Sequence, residues 1–157
     1  MAEKSPAKLM SSHPFFDELD AADIDYLAAR ATRKHLKRGG VLFHHGEPAD
    51  RFFLLLSGAI TIEIPAIEGP SLEVQHLGEG KILGWSWLIA PYRWSFQARA
   101  DEDTELLEFD GKAVRERCES DPRFGYEILK RFSSLMSDRL EASRTKMMEE
   151  WNPPGFA

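Results

Sequence analysis

Four groups of residues carry side chains or spacings that could do chemistry. His44 and His45 stand near Glu47. Adjacent residues on a strand point to opposite faces, so this pair cannot share a metal from one strand, and Glu47 falls in the Gly46–Pro48 turn. His13, His35 and His76 are isolated in sequence, and no metal site is expected. Cys118 lies near Arg115 and Arg117, cations of the kind that depress a thiol pKa, but no base accompanies it and it reads as an inert thiol. Gly78-Glu79-Gly80-Lys81 lacks both the spacing and the following Ser/Thr of a phosphate-binding loop. The fourth group is Gly84-Trp85-Ser86-Trp87-Leu88-Ile89-Ala90-Pro91-Tyr92-Arg93-Trp94-Ser95-Phe96, with three of the four tryptophans of the chain. Indole faces stack on flat or apolar ligands. Arg93 and the hydroxyls of Ser86, Ser95 and Tyr92 could orient the polar end of such a ligand. From Gly78 to Ala100, Lys81, Arg93 and Arg99 outnumber Glu79, which favours an anionic ligand.

The elements that must position this segment are legible as changes of texture. Residues 1–12 read as a polar, flexible tail. Ser11–Ser12–His13–Pro14 suits the start of a helical segment, and Phe15, Phe16, Leu19, Ile24, Leu27 and Ala28 predict two short helices. From Thr32 to Phe109, short apolar runs alternate with turn residues at Gly39–Gly40, Gly46–Pro48, Ser57–Gly58, Gly69–Pro70, Gly78–Gly80 and Asp110–Gly111. About eight short antiparallel strands fit, the pattern of a barrel or jelly roll. Residues 112–119 predict a short helix. Asp121–Pro122 starts a long one that runs to Trp151, where Asn152–Pro153–Pro154–Gly155 stops it.

A helix of that length spans about 45 Å, too long to lie wholly on so small a barrel. Leu129, Phe132, Met136, Leu140, Ser143 and Met147 follow a spacing close to a coiled-coil seam, so the helix is expected to pair with a second copy. Its first two turns, with Phe124 and Ile128, are expected to pack on the barrel. The domain plan is a tail over 1–12, a barrel with flanking helices over 13–121, a dimerisation helix over 122–151 and a tail over 152–157.

Composition narrows the function. The 157 residues include 20 Lys/Arg and 26 Asp/Glu, a net charge of −6, which argues against general attraction to nucleic acid or anionic lipid. Acidic runs at Asp17–Asp25 and Asp101–Asp103 read as solvated surface. One cysteine cannot form an internal disulfide and fits a reducing compartment. No apolar run is long enough for a membrane span, and the first ten residues lack a secretory signal. A cytoplasmic protein without membrane contact is expected.

The order of helices, glycine-punctuated barrel and long helix resembles the cyclic-nucleotide-binding domain family, catabolite-activator type. The residues that carry the resemblance are Gly40-Val-Leu-Phe-His-His-Gly46-Glu-Pro-Ala-Asp50-Arg-Phe-Phe-Leu-Leu-Leu-Ser-Gly58, Gly78-Glu-Gly80-Lys-Ile-Leu-Gly84, Ala98-Arg-Ala100 and Asp103-Thr-Glu-Leu-Leu107. They cover roughly residues 13–140.

The resemblance implies an eight-stranded antiparallel jelly-roll barrel with a phosphate-binding cassette, a short helix and loop between two strands. Amides at a helix N-terminus and one bidentate arginine would hold a cyclic phosphate there. In the family a glutamate follows the cassette glycine and an arginine stands about nine residues later. Here Trp85 occupies the glutamate position, Trp94 the arginine position, Ser95 the hydroxyl position and Phe96 that of a small alanine. Arg93 is one residue early, and a shifted loop could let it substitute because cassette length varies. Weak or no binding of cyclic AMP follows, and no cofactor is expected.

The chain ends where family regulators continue into a helix-turn-helix, and Lys130, Arg131, Arg139, Arg144 and Lys146 are interleaved with Asp138, Glu141, Glu149 and Glu150. Direct DNA binding is not expected. The sequence therefore predicts a non-catalytic sensor domain whose ligand would lie on Gly84, Trp85, Ser86, Trp87, Tyr92, Arg93, Trp94 and Ser95. The alternative is a ligand-free dimeric interaction module whose pocket is filled by its own aromatics.

Overall fold

The computed structural model describes residues 4–151. Helix α1 (Pro6–Ser11) is capped by Ser5, whose hydroxyl accepts from the Lys8 amide. A 3-10 turn (Pro14–Phe16) and α2 (Ala21–Ala28) follow. Part of the segment expected to be a free tail is thus helical, because Met10 is fully buried in the core and anchors α1. The stop at Asn152–Gly155 and the tail over 152–157 lie outside the described residues.

Eight strands follow: β1 (Ala31–Leu36), β2 (Val41–Phe43), β3 (Arg51–Ser57), β4 (Ile60–Ile64), β5 (Leu72–Leu77), β6 (Ile82–Leu83), β7 (Gln97–Ala100) and β8 (Thr104–Asp110). They form two antiparallel four-stranded sheets, ordered β1-β8-β3-β6 and β2-β7-β4-β5, the jelly roll that the turn spacing predicts. At the β3–β4 turn Gly58 has φ +97°, and a Cβ there would meet Thr104 Oγ1 at 2.4 Å. Only glycine lets the hairpin close so tightly on β8.

Strand β3 shows how the core is divided. Its residues 52–55 are all buried, and alternation sends Phe52 and Leu54 to one side and Phe53 and Leu55 to the other. Phe52 and Leu54 join Leu107, Phe109, Phe124, Ile128 and Phe132 in a core between sheet and helices. Phe53 and Leu55 join Leu42, Phe43, Leu83, Trp94 and Leu106 inside the barrel. A sheet buried on both faces explains why β3 reads as a continuous apolar run rather than an alternating one.

Helix α3 (Gly111–Ser120) is capped by Asp110, and α4 (Pro122–Glu150) by Asp121, with proline in its first turn. At 29 residues, α4 extends about 44 Å. Arg123 ties it to α2 by donating to both oxygens of the buried Asp23 carboxylate at 3.2 and 3.0 Å.

The predicted seam divides between two faces of α4. Phe132 is fully buried against Phe52 and Trp87, with ring centroids 5.3 and 5.2 Å away, and Met136 packs on the same core. Leu129, Leu140, Ser143 and Met147 are exposed. Phe132 is therefore removed from the seam. No described helix is long and apolar enough to cross a membrane.

Candidate ligand site

The segment joining β6 to β7 carries the aromatic cluster, and its path is set by where each tryptophan goes. Trp87 is fully buried between the sheet and α4, stacked on Phe52 at 4.9 Å, and its Nε1–H donates to the Gly84 carbonyl at 3.0 Å. Anchored in this way, the segment runs in turns, with the Leu88 amide bonded to the Trp85 carbonyl at 3.0 Å. The short cassette helix that the resemblance implies is absent from residues 84–96. No helix N-terminus offers its amides to an anion at this point.

Trp94 goes into the barrel. It is 3% exposed, its indole lies 3.7 Å from Phe43 at 11°, and Phe43 stacks in turn on Phe53 at 6.2 Å. Gly84 has φ +98°, and a Cβ there would touch Trp94 Cη2 at 3.0 Å, so this glycine makes room for the indole. Backbone bonds to the loop over 46–48 hold the segment in strand-like register: Gly46 N–H to Trp94 O at 2.8 Å and Trp94 N–H to Glu47 O at 2.9 Å.

That register decides the fate of Arg93. With Trp94 inward, its neighbour points outward, and the Arg93 guanidinium donates to the Gly46 carbonyl at 2.8 Å on the surface. Arg93 does not line the cavity beside the cassette segment. Tyr92 also faces away, under the Arg115 guanidinium at 3.9 Å.

A cavity of about 240 Å³ remains between the cassette segment, the open side of the barrel and α4. Gly84, Trp85, Ser86, Trp94 and Ser95 line it, and Trp87, Tyr92 and Arg93 do not. The wall that sequence reasoning missed is Phe96 together with Met136, Arg139, Leu140 and Ser143 from α4. The signal for this wall was Arg139 itself, a cation one position from an apolar seam.

Arg139 is held in the cavity wall. Its guanidinium donates to the Ile82 carbonyl and lies 4.8 Å from the Trp85 ring centroid. Burial pushes its pKa down to about 10, and the side chain stays a cation at neutral pH.

The other chemistry-bearing residues are accounted for. Burial, and then the charges of Glu119 and Asp121, push the Cys118 thiol up to about 11. This is opposite to the effect expected of Arg115 and Arg117. Arg115 is drawn away to the Trp87 carbonyl at 2.6 Å. Among the described residues, no group of three or more His, Cys, Asp or Glu side chains is gathered as a metal site.

A two-sheet jelly roll with a cassette segment over one open side and a long helix closing it is the architecture of a small-molecule sensor domain. The sequence profile of the cyclic nucleotide-binding domain matches residues 33–121, and the chain belongs to that family. A Geobacter metallireducens protein described as cyclic nucleotide-binding has a similar structure, with TM-score 0.79, 26% identity, and coverage of 88% of this chain and 99% of that one. The Cyclic AMP receptor protein of Thermus thermophilus is 28% identical over 98 residues, 62% of this chain and 45% of that protein. A Rhodopseudomonas palustris protein described as a potassium channel protein is 28% identical over 116 residues, 73% of this chain and 27% of that protein. The chain thus spans less than half the length of either of these two relatives.

Proposed function

We propose that this domain is a non-catalytic sensor that does not read cyclic nucleotides, and that its ligand sits between the cassette segment and α4. One observation carries the reading: the Trp94 indole, at the residue the resemblance assigns to the family's phosphate-binding arginine, is stacked on Phe43 inside the barrel. With Trp85 at the glutamate position and Arg93 turned to solvent, neither ribose nor phosphate has its usual partner. What remains is a largely apolar cavity whose far wall is the helix itself.

A ligand there touches both the cassette and α4, so its binding favours one packing of the helix over another. The output is carried by α4. Leu129, Leu140 and Met147, 48%, 64% and 62% exposed, form a stripe suited to the same stripe of a second copy. We infer a cytoplasmic homodimer of this kind. The charges of α4 alternate in sign, which makes no basic stripe for DNA.

Tryptophan fluorescence tests the site. Small flat apolar ligands should change the emission of Trp85 and Trp94, whereas cyclic AMP and cyclic GMP should not. A response to cyclic nucleotides that Arg93→Ala abolishes would overturn the reading. The burial of Trp87 and Trp94 also favours a second reading, a ligand-free interaction module, and no emission change with any apolar ligand would favour it.

A further inference from the structure

The cavity beside α4 has one charged group in its lining, Arg139. Among the described residues it forms no salt bridge, and its polar contact is with the Ile82 carbonyl. The rest of the wall is apolar or carries neutral polar groups: the rings of Trp85, Trp94 and Phe96, the side chains of Met136 and Leu140, and hydroxyls such as Ser86 and Ser95. A cation held in such surroundings without a counter-charge is costly. An arginine that served only to cover apolar surface would turn its head to water. Here the head turns inward, over Trp85.

We infer that the ligand of this cavity is a small organic carboxylate with a flat apolar body, its carboxylate held by Arg139. The inference rests on the reading that the cavity is the ligand site, and it names the ligand's class.

The chemistry selects this class in three ways. Arginine carries five N–H donors in a planar fork, and the bond to Ile82 leaves donors free to meet a planar carboxylate in bidentate fashion. A phosphate dianion would call for further cations or a helix N-terminus, and this cavity offers neither. At about 240 Å³ the space lies just below the roughly 300–1,000 Å³ usual for drug-sized ligands, so the body is small, and the indole walls favour a flat one.

The position of Arg139 also supplies the coupling. It belongs to α4, whereas its carbonyl partner Ile82 belongs to β6, 57 residues away. A carboxylate neutralising Arg139 removes the cost of its burial and so favours the state in which α4 lies against the cassette. Without it, the uncompensated charge favours moving the helix outward to water.

Calorimetric titration of the full chain with 1-naphthoate, cinnamate and hexanoate, each beside its primary amide, tests this. The expected result is at least tenfold tighter binding of an acid than of its amide. Arg139→Met should abolish the difference, and Arg139→Lys, which keeps the charge but not the fork, should restore part of it. If acid and amide bind the wild-type chain alike, the cavity stands as the ligand site and the carboxylate inference fails. If neither acids nor amides bind, the ligand-site reading falls and the inference with it. The wild-type comparison depends on no variant and holds even if Arg139→Met does not fold.

Discussion

The indole of Trp94 lies flat on the ring of Phe43, 3.7 Å between centroids and 11° from parallel. This contact joins the cassette segment to β2 and fills the interior of the barrel from within. Aromatic pairs of this kind contribute about 0.5–1.5 kcal/mol beyond the area they bury. The residue that the resemblance assigns to phosphate binding is here part of the core.

Truncating that ring should therefore act as a core deletion. Trp94→Ala is expected to lower stability by about 3–5 kcal/mol, measured by urea unfolding. Trp94→Phe should cost much less, because it also removes a buried Nε1–H that has no hydrogen-bond partner. Unchanged stability in the alanine variant would show that the ring is not part of the core.

The division of α4 predicts opposite effects from two neighbouring substitutions. Phe132→Ala removes a fully buried ring and should destabilise the fold by about 3–5 kcal/mol. Leu140→Ser, on the exposed stripe, should leave the melting temperature of the monomeric chain within a degree or two, yet shift the sedimentation profile toward monomer. A monomeric wild-type chain would remove the basis for the stripe as an interface.

Arg139 should be a stability liability in the ligand-free protein. Its pKa, pushed down to about 10 by burial, lies below that of the unfolded chain, so at neutral pH the folded state holds a cation at a cost. Arg139→Met keeps the length and removes the charge. It is expected to leave stability unchanged or raise it by about 1–2 kcal/mol, read from denaturant midpoints. A clear loss would mean that its bond to Ile82 outweighs the burial of charge.

Cys118 gives a pH test of the opposite sign. Its thiol pKa is raised to about 11 in the folded chain by burial and by Glu119 and Asp121. The folded state therefore holds this proton more tightly than the unfolded state. The resulting stability is fully present below the unfolded-state pKa, near 8.5, and is lost as pH rises toward 11. Cys118→Ala should flatten that decline. Iodoacetamide at pH 8 should label the native thiol far more slowly than the urea-unfolded one.

Local pattern carried much of the architecture. Turn residues at nearly regular intervals marked the strands, and capping residues with proline marked the start of α4. The break in the cassette was also legible, because Trp85 and Trp94 stand at countable positions between Gly84 and Ala98. Strands β1 and β6 were harder to read. Arg33, Lys34 and His35 make β1 read as polar, and its place comes from pairing with β8 along its whole length, Ala31 opposite Phe109 through Leu36 opposite Thr104.

The sequence by itself determined the family and the jelly roll, because these depend on residue types at fixed separations along one chain. Only the tertiary structure decided which side chains share a space. The strand-like register against Gly46 and Glu47 sent Trp94 in and Arg93 out. The docking of α4 on the sheet turned Phe132 toward Phe52. The same docking brought Arg139 beside Ile82 and Trp85. Contacts between residues so far apart in the chain follow from barrel closure and helix docking, which no local spacing encodes.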